Sequence, residues 1–410
     1  MINYKKRNLK TLITAIIAVT ITILIVVYSE DAFQAALEGL KVWWEIVFPS
    51  LLPFFIIAEI LMGLGVVHFL GTLLEPLMKP LFKVPGVGAF AMAMGLASGY
   101  PIGAKITANL RKKNLCSKTE GERLLCFTNT ADPLFLVGAV SVGMLHSPKL
   151  GIIIAASHYI SSFSIGFIMR FYKGKSKNKN NEVFNKRYNK NILRRAYEEL
   201  LTARKNDGRG LGELFGDSVQ ESISTLLLVG GFIILFSVIT KIIIVTGVIN
   251  IIANTVNIIL LNIGLSTASL TPLVSGFFEI TNGANLASQI QAPLIEKLVI
   301  INAIIAWSGL SVHSQVATMI NGTDLSIKPY IWARIIQSII AGFVTIFLIR
   351  FNFGISQTTF SPIFNNLHST KDYVLLTPLV IISIIIILLI ISFTIHFFKK
   401  IQIIFFHYHN

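Results

Sequence analysis

Residues 94–109 read MGLASGYPIGAKITAN, a hydrophobic segment interrupted at its centre by Ser98-Gly99-Tyr100-Pro101 and again by Gly103. Residues 273–285, LVSGFFEITNGAN, are interrupted in the same way. A proline costs a helix interior about 3 kcal/mol and a glycine about 1 kcal/mol relative to alanine. Inside a bilayer the backbone opened by such a break must be satisfied by protein or by a water-lined cavity. Paired interruptions in two halves of a membrane chain point to a transporter's binding site.

The composition places both segments in a membrane. Hydrophobic residues are 53% of the 410 and charged residues 13%, with a mean hydropathy of +0.71. Soluble domains carry about 25% charged residues, so the chain is expected to be an all-α polytopic membrane protein. The net charge of +15 does not imply nucleic acid, because Lys and Arg gather at segment ends and in one loop. That distribution orients membrane helices and attracts anionic headgroups. Two cysteines, Cys116 and Cys126, are too few for a disulfide framework or a CxxC-type metal site. No HExxH, Walker A or GxSxG string occurs, so no enzyme chemistry, cofactor or metal is expected.

Residues 1–47 are expected to hold a first span, Leu12 to Tyr28, and an amphipathic helix over 31–47. Phe33, Ala36, Leu37, Leu40, Trp43, Trp44 and Val47 recur there at helical spacing, so that helix reads as lying on the outer membrane face. Residues 48–172 form a first repeat. Its span from Phe48 to Leu70 carries Glu59, a membrane carboxylate that is either a site group or a protonated packing residue. The broken segment 89–110 has Lys79 and Lys83 before it and Arg111, Lys112, Lys113, Lys118 and Arg123 after it. Positive charge on both flanks predicts a re-entrant hairpin entered from the cytoplasm. The next span, 122–145, contains FTNTADP with Asp132-Pro133 as a further interruption; Gly151 to Phe171 returns inside and carries His158, read as a packed histidine.

Residues 173–212 are a hydrophilic loop, with about a dozen Lys and Arg against four acids over 173–210. Its second part reads as an amphipathic surface helix on an anionic leaflet. Residues 213–350 repeat the scheme. Between Lys241 and Lys297 there is no Lys or Arg, so the hairpin over 266–291 is expected to enter from outside. Residues 351–410 supply an outer loop and a C-terminal span. The sum is about eight transmembrane helices plus two re-entrant helical hairpins in an inverted repeat, with both termini cytoplasmic.

Half-helices that meet at a break offer N-terminal N–H groups and a positive dipole end, which suit an anion. Ser98, Gly99, Pro101 and Gly103 shape the first break, with Gly276 and Gly283 at the second. Lys105 either pairs with a substrate carboxylate or snorkels to the interface. Thr107 and Asn109 are nearby polar candidates. Thr128, Asn129 and Asp132 are expected to line the cavity from the adjacent span, and Glu279, Thr281, Asn282 and Asn285 from the second hairpin. His313 is either a proton relay or a hydrogen-bonded structural histidine.

The stretch from Pro53 to Arg111, PFFIIAEILMGLGVV through GLASGYPIGAKITANLR, and then TEGERLLCFTNTADPLFLVGAVSVG, closely resembles the YlbJ (SpoVV) family of sporulation integral membrane proteins. The resemblance runs over about residues 30–350, strongest at GLASGYPIGAK and FTNTADPLF. It implies gate domains similar to the repeats of concentrative nucleoside transporters and of the ferrous iron permease. It also implies a multi-pass protein of spore-forming Firmicutes, made in the mother cell and placed in the outer forespore membrane. There it would carry dipicolinic acid toward the forespore, with a role in cortex and spore maturation. Nothing is carried over to 173–210 or to the final span. The rival expectations are a nucleoside or nucleobase carrier, a non-transporting membrane scaffold of a sporulation complex, and an enzyme of cortex lipid precursors, for which no catalytic constellation exists. Expected partners are dipicolinate and membrane lipids, with anionic headgroups near 173–210 and no nucleic acid; a homo-oligomer is compatible with this reading.

Overall fold

The computed structural model describes residues 2–173, 191–262, 264–351, 386 and 388–397, and the regular elements among them are all helical. They are α1 (Ile2–Val27), α2 (Ser29–Val42), α3 (Phe48–Gly63), α4 (Val66–Leu77), α5 (Gly88–Ser98), α6 (Ile102–Lys112), α7 (Lys118–Thr128), α8 (Phe135–Met144, wound with wide turns) and α9 (Gly151–Met169). After these come α10 (Ile192–Asp207), α11 (Leu211–Val245), α12 (Val248–Asn262), α13 (Leu270–Phe278), α14 (Ile280–Gln289), α15 (Leu294–Trp307), α16 (Gly309–Met319) and α17 (Lys328–Arg350). Among the described residues, five stretches are long and apolar enough to cross a membrane: Ser29–Gly63, Pro148–Met169, Leu211–Val245, Leu294–Met319 and Lys328–Arg350. The protein is thus an all-α polytopic membrane protein. Most of the expected C-terminal span lies outside the described residues, as do the outer loop over 352–372 and the loop segment 174–190.

One order of elements occurs twice. A broken hairpin (α5–α6) is followed by a broken span (α7–α8) and an unbroken one (α9); the second hairpin (α13–α14) is followed by a broken span (α15–α16) and an unbroken one (α17). The sequence places the hairpins over 89–110 and 266–291; the paired arms occupy Gly88–Lys112 and Leu270–Gln289. The two sets meet where α9 and α17 pack together, and α15 packs on both.

The N-terminal part differs from the expected surface helix. Ser29–Gly63 is one continuous helical stretch, with wide turns at Trp43–Val47. Pro49 and Pro53 do not stop it: Pro49 falls in the first turn after the wide turns, and Ser50 Oγ donates nearby to the Ile46 and Val47 carbonyls at 2.6 and 3.1 Å. Membrane helices tolerate proline where local rewinding adjusts the backbone around it. Trp43 is buried, not interfacial: its indole N–H donates to the Leu226 carbonyl of α11 at 2.9 Å. Small residues set such contacts, since helices in lipid gain little from the hydrophobic effect and associate by close packing. A Cβ at Gly230 of α11 would stand 2.6 Å from the Trp43 ring.

The amphipathic reading of the loop helix is refined in the same way. α10 begins with Asn191 as N-cap to the Leu193 N–H, at 3.1 Å. Ile192 and Ala196 are buried against Leu73 of α4, while Leu193, Tyr197 and Leu201 stay exposed. Arg195 turns inward and pairs with the buried Glu75.

Candidate functional site

Both hairpins are built on a broken helix whose neighbour fits into it. At the first tip Gly99 takes φ +68°, a left-handed conformation that glycine adopts at little cost, and the Tyr100-Pro101 bond that follows is cis. A Cβ on Gly99 would sit 2.6 Å from Asp132 Oδ2, so the tip rests on the interruption of the following span. Gly103 is needed for a different reason: its Cβ would lie 2.1 Å from the Thr128 carbonyl oxygen. The last turn of α7 lies that close to the hairpin. In the second set the same docking recurs, with Gly309 (φ +68°) against Phe278 and Glu279 at the tip.

The backbone opened at residues 127–133 is satisfied chiefly by α9 and α17. Ala131 N–H donates to His158 Nε2 at 3.2 Å, and Thr130 Oγ1 lies 2.8 Å from the same nitrogen. Because Nε2 accepts from an amide, the ring proton sits on Nδ1. Tyr159 donates to the Ala131 carbonyl at 3.2 Å and Ser162 to that of Phe127 at 3.2 Å. Arg334 of α17 donates to the Cys126 carbonyl, placing a cation at the C-terminal end of α7, where the helix dipole favours it.

Two carboxylates cap the restarted helices. Asp132 Oδ1 accepts from the N–H groups of Leu134 and Phe135 at 3.0 and 2.9 Å, and so starts α8. Glu279 Oε2 accepts from Asn282 N–H at 2.7 Å and starts α14. These N-termini are therefore already capped by a carboxyl of the chain itself.

Between the tips lies a cavity of about 60 Å³, lined by Tyr100, Asp132, Glu279, Thr281, Ser311 and Gln315 with apolar residues of α3, α8 and α11. At roughly 30 Å³ per water it holds about two waters. Tyr100 reaches across from the first hairpin to the second broken span: Ser308 Oγ donates to its hydroxyl at 3.1 Å, and that hydroxyl donates to the Ile305 carbonyl at 3.3 Å.

The residues singled out in sequence fall into three groups. Asp132, Glu279 and Thr281 line the cavity. Ser98, Gly99, Pro101, Gly103, Thr128, Asn129, Gly276, Asn282 and Gly283 are buried around it as framework. Asn282 ties α14 to α11, donating to the Ile233 carbonyl at 3.0 Å and to Ser237 Oγ at 2.8 Å. Gly283 and Gly276 let the two arms of the second hairpin touch. Lys105 and Asn109 are exposed on α6, Lys105 near Glu59, and Asn285 is half-buried beside Gln289. His313 is packed between Trp307 and Tyr330 and bonds the Gly309 carbonyl through Nδ1 at 2.6 Å. Sequence reasoning passed over Tyr100, Ser311, Gln315 and the break at Ser308-Gly309. Its Ser-Gly pair inside an apolar run was the available signal. Among the described residues no three or more of His, Cys, Asp and Glu stand together as a metal site.

Comparison with known proteins gives the family. The chain is 41% identical over 367 residues to the sporulation integral membrane protein YlbJ of Bacillus subtilis (strain 168), covering 88% of each chain. The chain belongs to the YlbJ family of sporulation integral membrane proteins. The family model described as Gate, nucleoside recognition, matches residues 44–174, which hold the first hairpin and the Asp132 break. A doubly substituted CNTnw in an outward-facing state is 12% identical with a TM-score of 0.42, over 82% of this chain and 85% of that one, a likeness too distant to carry an argument.

Proposed function

We propose that this sporulation membrane protein is a secondary transporter of a small organic anion, and that its cargo is dipicolinic acid. The cargo would be carried from the mother cell across the outer forespore membrane, in support of cortex formation and spore maturation. The observation that carries the reading is the cavity between two broken hairpins, with Asp132, Glu279, Thr281 and Ser311 set in a mainly apolar lining and each hairpin docked on a broken span. A chain built for catalysis or scaffolding has no need to open the backbone at four places around one buried space.

Alternating access asks that the hairpins enter from opposite faces, and the contacts at their bases support this. The base of the first hairpin is tied to the loop after α16, where Arg111 meets Asp324 at 2.7 Å. The base of the second is tied to the start of α15, where Glu296 Oε1 accepts from Ser266 N–H, Ser266 Oγ and Ser269 Oγ at 2.7, 2.7 and 2.6 Å. Those positions are the opposite ends of the Leu294–Met319 span. With the basic residues at the first base facing the cytoplasm, both termini fall inside.

A second reading has its own observation. The cavity lining offers Asp132, Glu279, Thr281 and Ser311 and no Lys or Arg, a set that would also accept the hydroxyls of a nucleoside. Calorimetric titration of the purified protein with dipicolinate and with uridine separates the two. Saturable dipicolinate binding without uridine binding is expected; the reverse would assign a nucleoside carrier, and binding of neither would leave the scaffold.

A further inference from the structure

A dicarboxylate entering this cavity meets Asp132 and Glu279, and no cation stands in the lining. Burying an unpaired charge is costly, so an anionic cargo needs a fixed positive group within reach. The described residues bury three cationic side chains, Arg123, Arg195 and Arg334. Arg123 donates to the Lys83 and Tyr172 carbonyls at the base of the first hairpin, and Arg195 pairs with Glu75 beside α10. Lys105 is exposed on α6.

Arg334 is different. It is fully buried two turns into α17, and among the described residues no carboxylate pairs with it. One nitrogen donates to the Cys126 carbonyl; Nε and Nη1 have no partner. Three residues on, and so on the same helix face, Gln337 is fully buried with both amide atoms unpartnered. Asn129 gives its amide N–H to the Tyr330 hydroxyl at 2.9 Å and leaves its oxygen unpartnered. The Tyr330 ring lies 5.0 Å below the Arg334 guanidinium. Buried polar groups in native proteins are almost always satisfied, so five orphaned atoms, two of them on the guanidinium and three on Gln337 and Asn129, mark a place for a polar occupant. An intramembrane cation without a counter-charge marks the same thing.

Tyr100 links this cluster to the cavity. It lines the cavity, its hydroxyl is held by Ser308 and the Ile305 carbonyl, and Arg334 is both its electrostatic and its hydrogen-bonding neighbour, with Tyr330 close by. We infer that Arg334 is the cation that receives one carboxylate of the cargo, with Gln337 and Asn129 beside it, and that Tyr100 screens it until the first hairpin shifts. This rests on the anionic-cargo reading. It makes Arg334, not Lys105, the group that selects a carboxylate over a neutral solute.

The test is calorimetry on the full-length protein in nanodiscs, with pyridine-2,6-dicarboxylate and the matching dicarboxamide as titrants. The native protein is expected to bind the diacid and not the diamide. Arg334→Gln, which keeps a donor for the Cys126 carbonyl, is expected to weaken diacid binding about tenfold to a hundredfold, and Arg334→Lys less. Unchanged diacid affinity in a folded Arg334→Gln would overturn the assignment and leave the cargo reading standing. Failure of the native protein to bind the diacid would overturn the cargo reading itself. If neither Arg334 variant folds, Tyr100→Ala decides, because it removes the screen and leaves the cation. Several-fold tighter diacid binding supports the inference, and unchanged or weaker binding overturns it.

Discussion

The two hairpins share a plan and divide its parts differently. In the first set the hairpin tip is uncharged and the carboxylate, Asp132, sits on the following span; in the second the carboxylate, Glu279, is the tip and the following span breaks at Ser308-Gly309. In both, the tip packs on the neighbouring break so closely that a glycine is required, at Gly99 in one case and Gly309 in the other. The bases differ as well. The second is held by a buried carboxylate with three donors, the first by an ion pair open to water. One plan of broken helices is thus fastened with charge at the tip on one side and at the span on the other.

The largest expected effect comes from filling the close approaches. A methyl at Gly103 meets the Thr128 carbonyl of the next span, whereas one at Gly283 lies 2.3 Å from Gly276 Cα on its own partner arm. Gly103→Ala and Gly283→Ala should each cost about 1–3 kcal/mol in detergent unfolding. Gly212→Ala, where a Cβ meets nothing within 4 Å, should gain up to about 1 kcal/mol. If Gly103→Ala unfolds like the native protein, the docking of α7 on the first hairpin is not as close as described.

Next are the bases. Glu296→Ala frees three donors at the second base and should cost about 2 kcal/mol, read as a lower unfolding temperature. The caps follow: Asp132→Ala and Glu279→Ala each remove N–H bonds that start a helix, so losses of about 0.5–2 kcal/mol are expected for both, and a loss at neither would contradict the capping described.

The smallest effect is expected at the exposed base. Arg111 donates to both Asp324 oxygens, and these hydrogen bonds hold the Asp324 carboxyl below its ordinary value. A carboxyl whose folded value is lowered stabilises the fold above its unfolded value, near 4, and that contribution disappears as pH falls through the folded value. The pair is solvent-exposed, so Asp324→Asn should change stability by less than about 1 kcal/mol at neutral pH, and less still in high salt. A large loss that persists in high salt would show the first base to be as firmly fixed as the second.

Much of this architecture is legible in the chain. Gly and Pro in an apolar run locate both hairpins within a few residues, and Asp132-Pro133 marks the broken span, because these residues act on local backbone. What stayed hidden depends on contacts between distant segments. Pro49 and Pro53 look like helix stops until the wide turns at Trp43–Val47 are seen to carry the helix through. Arg195 looks like a surface charge until Glu75 is found beneath it, 120 positions away. Arg334 disappears into the average of a 23-residue apolar helix, although a lone arginine in a span is itself a signal. The inward faces of Ser311 and Gln315 emerge only once Ser308-Gly309 has rotated α16 against α15.

The central claim is that the cavity between the two tips carries dipicolinate. The most direct measurement is the initial rate of dipicolinate uptake into proteoliposomes with the native protein and with Glu279→Gln, whose amide oxygen still accepts from Asn282. The account predicts saturable uptake by the native protein and its loss in a variant that unfolds at the native temperature. Native vesicles no faster than empty ones, or a Glu279→Gln protein that transports at the native rate, would contradict it.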